Sequence, residues 1–311
     1  GYQIEMPDHN YQVGDKVFLV GMGDVKFKTK FALEGKKLNL RLPEARRTHI
    51  LSRIGSTKIL NRQELFIRID STEWLKKIYF DKFDYLILKL SKNEWQKLNL
   101  KSPFFRNNQS KIIIQLPKFI PEADLNFYSD LCRDFVRNRI SHFMLGHVSQ
   151  KQLFPAESRL TLSASENIYT LNDAAIQFLK EENFMFYIYP LENDFPNLMQ
   201  GKDRKGIVPL FFSPELFFSR MPVNDLPENF SDQKNKFRKI IRSGFTVIIP
   251  ELPVSLLQNK NKLDQKGFRR YLIDFSYEKP SQNTFNRLLK KFHTSEAEQP
   301  GTSFNFKQGL F

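Results

Sequence analysis

From residue 64 onward, short apolar runs rich in β-branched and aromatic residues recur at roughly 20 to 30 residue intervals, the length of a strand plus a crossover helix. The runs fall at 64–70, 84–90, 111–116, 141–147, 159–164, 184–190, 207–212, 245–249 and 269–275. Hairpins would need only a few residues between them, so the spacing predicts parallel strands joined by helices. Helix-start chemistry lies between the runs. Ser71 opens one helix, Ser91 to Glu94 has the form of a capping box, Pro121 begins the longest helix, ending near Asn138, and Asn172 caps another. Asn183 suits the left-handed turn that ends the last of these. Near eight such units in about 250 residues predicts a TIM-like (β/α) barrel over 64–311, irregular in places. An open doubly wound sheet satisfies the same spacing.

Between 213 and 250 the rhythm lengthens, and Pro222, Pro227 and Gly244 interrupt it. An excursion at about 222–244 is expected, a β-hairpin beside the mouth of the sheet. Upstream, Tyr11 to Val20 alternates apolar and polar residues after a Gly-Asp turn, which predicts a small β-rich appendage over 1–45. A connector follows over 46–63.

Charge is unevenly placed in this chain of net charge +14. Residues 1–62 hold 12 Lys and Arg against 6 Asp and Glu, and residues 232–292 hold 14 against 5. If the two basic ends meet, their surface attracts a polyanion, RNA first, through counterion release. Solvated basic faces are the plainer reading. Lys234, Lys236, Arg238, Lys239 and Arg242 are the candidate nucleic-acid contacts.

Cys132 is the only cysteine, so this chain alone cannot build a disulfide scaffold, a thiolate zinc site or an iron-sulfur cluster, and a cytoplasmic location is expected. It falls inside the amphipathic run 125–138, where a small buried hydrophobe or a nucleophile are the two readings. No apolar run of membrane-spanning length occurs, so no membrane partner is expected, and the start at Gly1 without a leader reads as a soluble piece of a longer polypeptide.

Polar groups gather where the predicted strands end, the place where α/β proteins build their sites. Glu192, His147 and Asp274 are the catalytic candidates: Glu192 as acid or base or as a helix cap, His147 as a substrate contact or a structural histidine, Asp274 as a site carboxylate or a turn cap. Arg220, Gln115, Asp70 and Glu215 are the substrate-binding candidates, with Glu215 and Arg220 expected on a short aromatic helix. Phe211, Phe212, Phe217 and Phe218 could stack on bases or fill the core. No metal site is expected.

The ordered series Leu65 to Ile69, Ile112 to Pro117, the Asn172-led helix with Leu179, Glu192, Gly267 to Asp274 and Phe304 to Gly309 resembles the second half of long members of the collagenase-like peptidase U-32 family. Tyr11 to Val17 resembles the small β-domain that precedes this half. The resemblance implies a TIM-like fold and, by the family name, a hydrolase acting on peptides. Family members are also linked to hydroxylation of RNA bases and quinone precursors, which implies RNA modification with tRNA or rRNA as partner. The family's iron-sulfur cysteines are missing after the Glu192-bearing strand, so the resemblance places any such cluster in a missing N-terminal part and leaves this chain without a cofactor. Three roles follow as expectations. The chain is a non-catalytic domain binding RNA, or the remainder of the polypeptide, for a reaction executed elsewhere; a peptidase module; or an intramolecular assembly domain.

Overall fold

The computed structural model describes residues 44–52, 54, 60–155, 158–232 and 235–307. The chain divides into two compact units, Gly1–Arg47 and Thr48–Phe311, and the described residues other than 44–47 belong to the second. Lys234 and all but the last two residues of the expected β-rich stretch 1–45 lie outside the described residues. Where the connector was expected to begin, a helix runs over Glu44–Ser52; Glu44, Ala45, Arg46 and Arg47 are good helix formers with the acid in the first turn.

Thirteen strands follow among the described residues. They are β1 (Glu64–Ile69), β2 (Tyr85–Leu88), β3 (Ile112–Gln115), β4 (His142–Leu145), β5 (Thr161–Ala164), β6 (Phe184–Tyr187), β7 (Ile207–Phe212), β8 (Phe217–Ser219), β9 (Asn229–Ser231), β10 (Lys236–Arg242), β11 (Phe245–Pro250), β12 (Val254–Ser255) and β13 (Arg270–Asp274). Nine of them form one mixed α/β sheet in the order β12-β7-β13-β1-β2-β3-β4-β5-β6. Only β12 runs antiparallel, against β7. The sheet curls: Ile188, just past β6, forms a parallel bridge with Ile207 of β7, and the Tyr189 amide donates to the Ile207 carbonyl at 3.0 Å.

Strands buried on both faces explain the unbroken apolar runs of the sequence. On the inner face Phe66, Ile87, Ile113, Met144, Phe186, Ile188, Ile207 and Leu272 form one buried cluster, one residue from nearly every strand. On the outer face a larger core packs the sheet against helices. Helix Leu125–Arg137 buries Tyr128, Leu131, Cys132 and Phe135, spaced three and four apart. Cys132 is sealed there, and burial pushes its thiol up to about 12, the state of an inert core group. Helix Asp173–Glu181 is capped by Asn172, whose side chain accepts from the Ala175 amide, and Asn183 ends it at φ +61°. At Ser91 half of the capping box forms: Ser91 accepts from the Glu94 amide, but the Glu94 carboxylate turns to Thr72 and Lys97.

The run 245–249 does not join the parallel sheet. It is β11, the centre of a second, antiparallel sheet of order β8-β11-β10-β9. Its partner β10 precedes it through a tight turn, in which Gly244 takes φ +81° with open space around it. The excursion is therefore longer than 222–244, and the short helix expected around Glu215 and Arg220 is strand β8, because Phe217 and Phe218 pair with Ile248 and Val247.

Gly206 illustrates how tightly the frame closes. A Cβ built there would stand 2.3 Å from the Tyr187 ring and 2.5 Å from that of Tyr189, two side chains pinned by Asp203. Gly206→Ala is expected to cost about 1–3 kcal/mol through overpacking, read from the urea midpoint at unchanged m-value.

Candidate functional site

Two-residue alternation along the strands builds the site. One step beyond the apolar layer of Phe66, Ile87, Ile113 and Leu272, on the same face, come Arg68, Lys89, Gln115 and Asp274. These four line a cavity of about 220 Å³ at the carboxyl ends of the parallel strands. Loop residues Lys118, Phe119, Glu166, Tyr169 and Glu192 add to its wall, and Phe218, Arg242, Phe245 and Val247 of the antiparallel sheet close it from the other side. Phe218 and Phe245 stack on each other at 5.2 Å, and Phe245 meets Phe119 edge-on at 6.0 Å.

At its floor Arg68, 1% exposed, holds two carboxylates. Its Nη1 donates to Glu166 Oε2 at 2.8 Å and to Gln115 Oε1 at 3.3 Å, and its Nη2 donates to Asp274 Oδ2 at 2.6 Å. Burial works to lower the Arg68 pKa, but Asp274 and then Glu166 outweigh it and keep the guanidinium charged. Burial likewise raises the Asp274 carboxyl, and Arg68 overrides this, holding it below the usual carboxylate range. The other Asp274 oxygen accepts from the Ser276 amide at 2.9 Å, so Asp274 is both site carboxylate and turn cap.

A second cluster sits beside the first. Glu215 Oε1 accepts from Lys89 Nζ at 2.7 Å and from the Tyr277 hydroxyl at 2.6 Å, while Oε2 pairs with Lys118 Nζ at 2.6 Å. Burial alone would raise the Glu215 carboxyl; Lys89 and Lys118 pull it well below its ordinary value. Burial, then Glu215, pushes the Tyr277 phenol well up. One guanidinium against two carboxylates leaves the first cluster a surplus negative charge, and two ammoniums against one carboxylate leave the second a surplus positive charge.

Two polar atoms are left over. Because Arg68 takes the Gln115 carbonyl oxygen, the Gln115 amide nitrogen turns away from it. Neither that nitrogen nor Glu166 Oε1 has a hydrogen-bond partner among the described residues, and neither is sealed from the cavity that both residues line. A donor and an acceptor, on side chains anchored to the same Arg68 nitrogen, are thus left to the cavity.

Of the residues singled out from sequence, Asp274, Gln115, Glu215, Glu192 and Arg242 line the cavity. Glu192 is not the helix cap; Asp194 takes that place, accepting from the Asn197 amide, and Glu192 receives the Tyr169 hydroxyl at 3.4 Å. Asp70 stands behind the wall, clasping Arg242 through its carboxylate at 2.8 Å and its carbonyl at 2.6 Å. His147 lies outside the cavity lining and caps the turn Val148–Leu153, its Nδ1 accepting from the Ser149 amide. Arg220 is also outside it, with its guanidinium 4.6 Å from the Phe119 ring centroid and unpaired with Glu215.

The basic run splits, because neighbours on a strand face opposite ways. Lys239 donates to the carbonyls of Val223 and Leu226, Arg238 to that of Tyr277 at 3.4 Å, and Arg242 to Asp70, leaving Lys236 exposed with Glu251 at 3.9 Å. Phe211 and Phe212 are core, whereas Phe217 is half exposed. Arg68, Lys89, Lys118, Glu166, Tyr169 and Tyr277 were missed. The available signal was a charge inside an apolar run, as at Arg68 and Lys89.

Among the described residues no group of three or more His, Cys, Asp and Glu is placed to hold a metal ion, and no helix is long and apolar enough to cross a membrane. No family model matches this sequence, and no curated protein matches it. Among solved structures the chain is similar to the spore cortex-lytic enzyme SleL of Bacillus cereus, with a TM-score of 0.38 and 11% identity over 76% of each chain, a level at which neither fold nor activity carries over.

Removing the guanidinium strands two buried carboxylates. Arg68→Met is expected to cost about 3–5 kcal/mol at neutral pH. Asp274 is depressed in the folded state, so its contribution is full above the unfolded carboxylate pKa of about 4 and is lost as pH falls through the folded value. The penalty of the variant should therefore shrink as its stranded carboxyls protonate, a trend that urea melts from neutral to acidic pH would reveal; a constant penalty would refute the clamp.

Proposed function

We propose that residues 64–311 form a TIM-like (β/α) barrel of the U-32-like kind that binds RNA at its mouth and performs no chemistry alone, serving a hydroxylation-type modification of tRNA or rRNA executed elsewhere in a longer cytoplasmic polypeptide. Any iron-sulfur cluster belongs to that other part. The barrel reading is supported by eight parallel strands whose end members meet at the Ile188 and Ile207 bridge. It is supported too by a cavity at the strands' carboxyl ends, where such barrels place their sites.

The observation that carries the binding role is that Gln115 and Glu166, both held on Arg68 Nη1, each keep one polar atom without a protein partner on the cavity wall. A donor and an acceptor lining one cavity suit the hydrogen-bonding edge of an unpaired base, and single-stranded bases are read on those edges. Tyr169, 55% exposed on the cavity wall, offers a stacking face. Hydrolysis finds less support: no histidine or cysteine lines the cavity among the described residues, and burial holds His142, inside the sheet, down at about 4. Asp274 and Glu215 are held below the usual carboxylate range, away from the neutral pKa that acid-base work needs.

Fluorescence anisotropy with a short labelled single-stranded RNA tests this. Binding should weaken with salt, and Tyr169→Asn, which tolerates the left-handed backbone at φ +54°, should weaken it by about 1–3 kcal/mol without lowering stability. No binding by the parent chain, or an unchanged affinity in the variant, rejects the reading.

A further inference from the structure

Glu215 reaches the cavity on the segment that leaves β7 for the antiparallel sheet, whereas its three partners belong to the frame: Lys89 follows β2, Lys118 follows β3 and Tyr277 follows β13. Without Glu215 the frame still presents two ammoniums and a phenol converging on one point. That is a donor set suited to the oxygens of a phosphate group. Two further observations point the same way. The cluster keeps a surplus positive charge even with Glu215 in place, and a site that over-supplies cations to one carboxylate is better matched by a group of higher charge or more acceptor oxygens. The contact is also reachable, since the Lys89, Lys118 and Glu215 side chains are 25%, 26% and 16% exposed on the wall of the cavity.

We propose that Lys89, Lys118 and Tyr277 form the seat of a ligand phosphate, and that Glu215 is its built-in stand-in, displaced when the ligand binds. The proposal rests on the mouth being a binding site; an RNA phosphodiester and free phosphate share the required chemistry. Displacement has a mechanical consequence. Glu215 fastens the start of β8 to the frame, while Arg242 on Asp70 and Arg238 on the Tyr277 carbonyl tie β10 independently. Phosphate binding therefore frees the Glu215 side chain and loosens Ser213 to Glu215, while Leu216 and Phe217 stay paired with Ile248 and the small sheet stays attached.

Titration calorimetry of the chain with inorganic phosphate, and separately with a dinucleoside monophosphate lacking terminal phosphates, provides the test. Glu215→Gln keeps the shape and removes the competing charge, so phosphate should bind about tenfold tighter, and adding Lys118→Met should abolish the gain. A folded Glu215→Gln chain that binds phosphate no better than the parent makes Glu215 a clasp only and overturns the proposal. Should that variant not fold, the parent chain decides: saturating phosphate should accelerate cleavage after Glu215 by a glutamate-specific protease, and unaccelerated cleavage, or no phosphate binding, overturns it. Binding of the dinucleoside monophosphate identifies a backbone phosphodiester as the source; binding of inorganic phosphate alone identifies the free ion. Phosphate binding without RNA binding retires the RNA reading and leaves the seat standing.

Discussion

The buried guanidinium of Arg68 is the interaction on which the site depends. A charge 1% exposed persists only where partners surround it, and here they come from the exits of three strands: Asp274 from β13 beside β1, Gln115 from β3, and Glu166 from the turn after β5. One side chain thereby fixes residues that are far apart in the chain. Gln115 and Glu166 each give one end to Arg68 and line the cavity, so their placement on its wall is a by-product of the clamp. The arrangement resembles the support given to many binding sites, in which groups that meet a ligand are held by groups that do not.

Around that clamp the wall is divided by charge. The Arg68 trio and the Lys89, Lys118 and Glu215 trio carry opposite surpluses and face one space of about 220 Å³. The aromatic part of the wall comes mostly from loops and from the antiparallel sheet, where Phe218 and Phe245 stack and Lys118 lies 4.2 Å from the Phe218 ring centroid. Arg68, Lys89, Gln115 and Asp274 thus rise from the strand ends, whereas loops and the appended sheet supply the remaining charges and most of the flat apolar surfaces.

Much of the frame was legible in the sequence because strands buried on both faces leave unbroken apolar runs, and eight of the nine expected runs are strands of the large sheet. The ninth, 245–249, has the same composition but pairs locally with β10 across a tight turn, which composition cannot distinguish. At the site, Gln115 and Asp274 were found because they end their runs. Arg68 was passed over inside the run Leu65–Ile69, although a lone charge among residues 4% exposed or less must have buried partners. Glu166 escaped because its strand ends two residues earlier. The basic stretch misled for a simpler reason: adjacent residues in a strand face opposite sides, so Lys239 and Arg242 serve different internal partners. His147 was a strand-end polar residue that serves its own turn.

The antiparallel sheet leaves and rejoins the large sheet at neighbouring positions, because Phe212 at the end of β7 is paired with Val254 at the start of β12. Everything from Ser213 to Pro253 is consequently a cassette hung from a doorway one residue pair wide. Descendants of this chain can trade that cassette for a shorter or differently lined one, and so alter what the doorway admits, without respacing a single strand of the wall behind it.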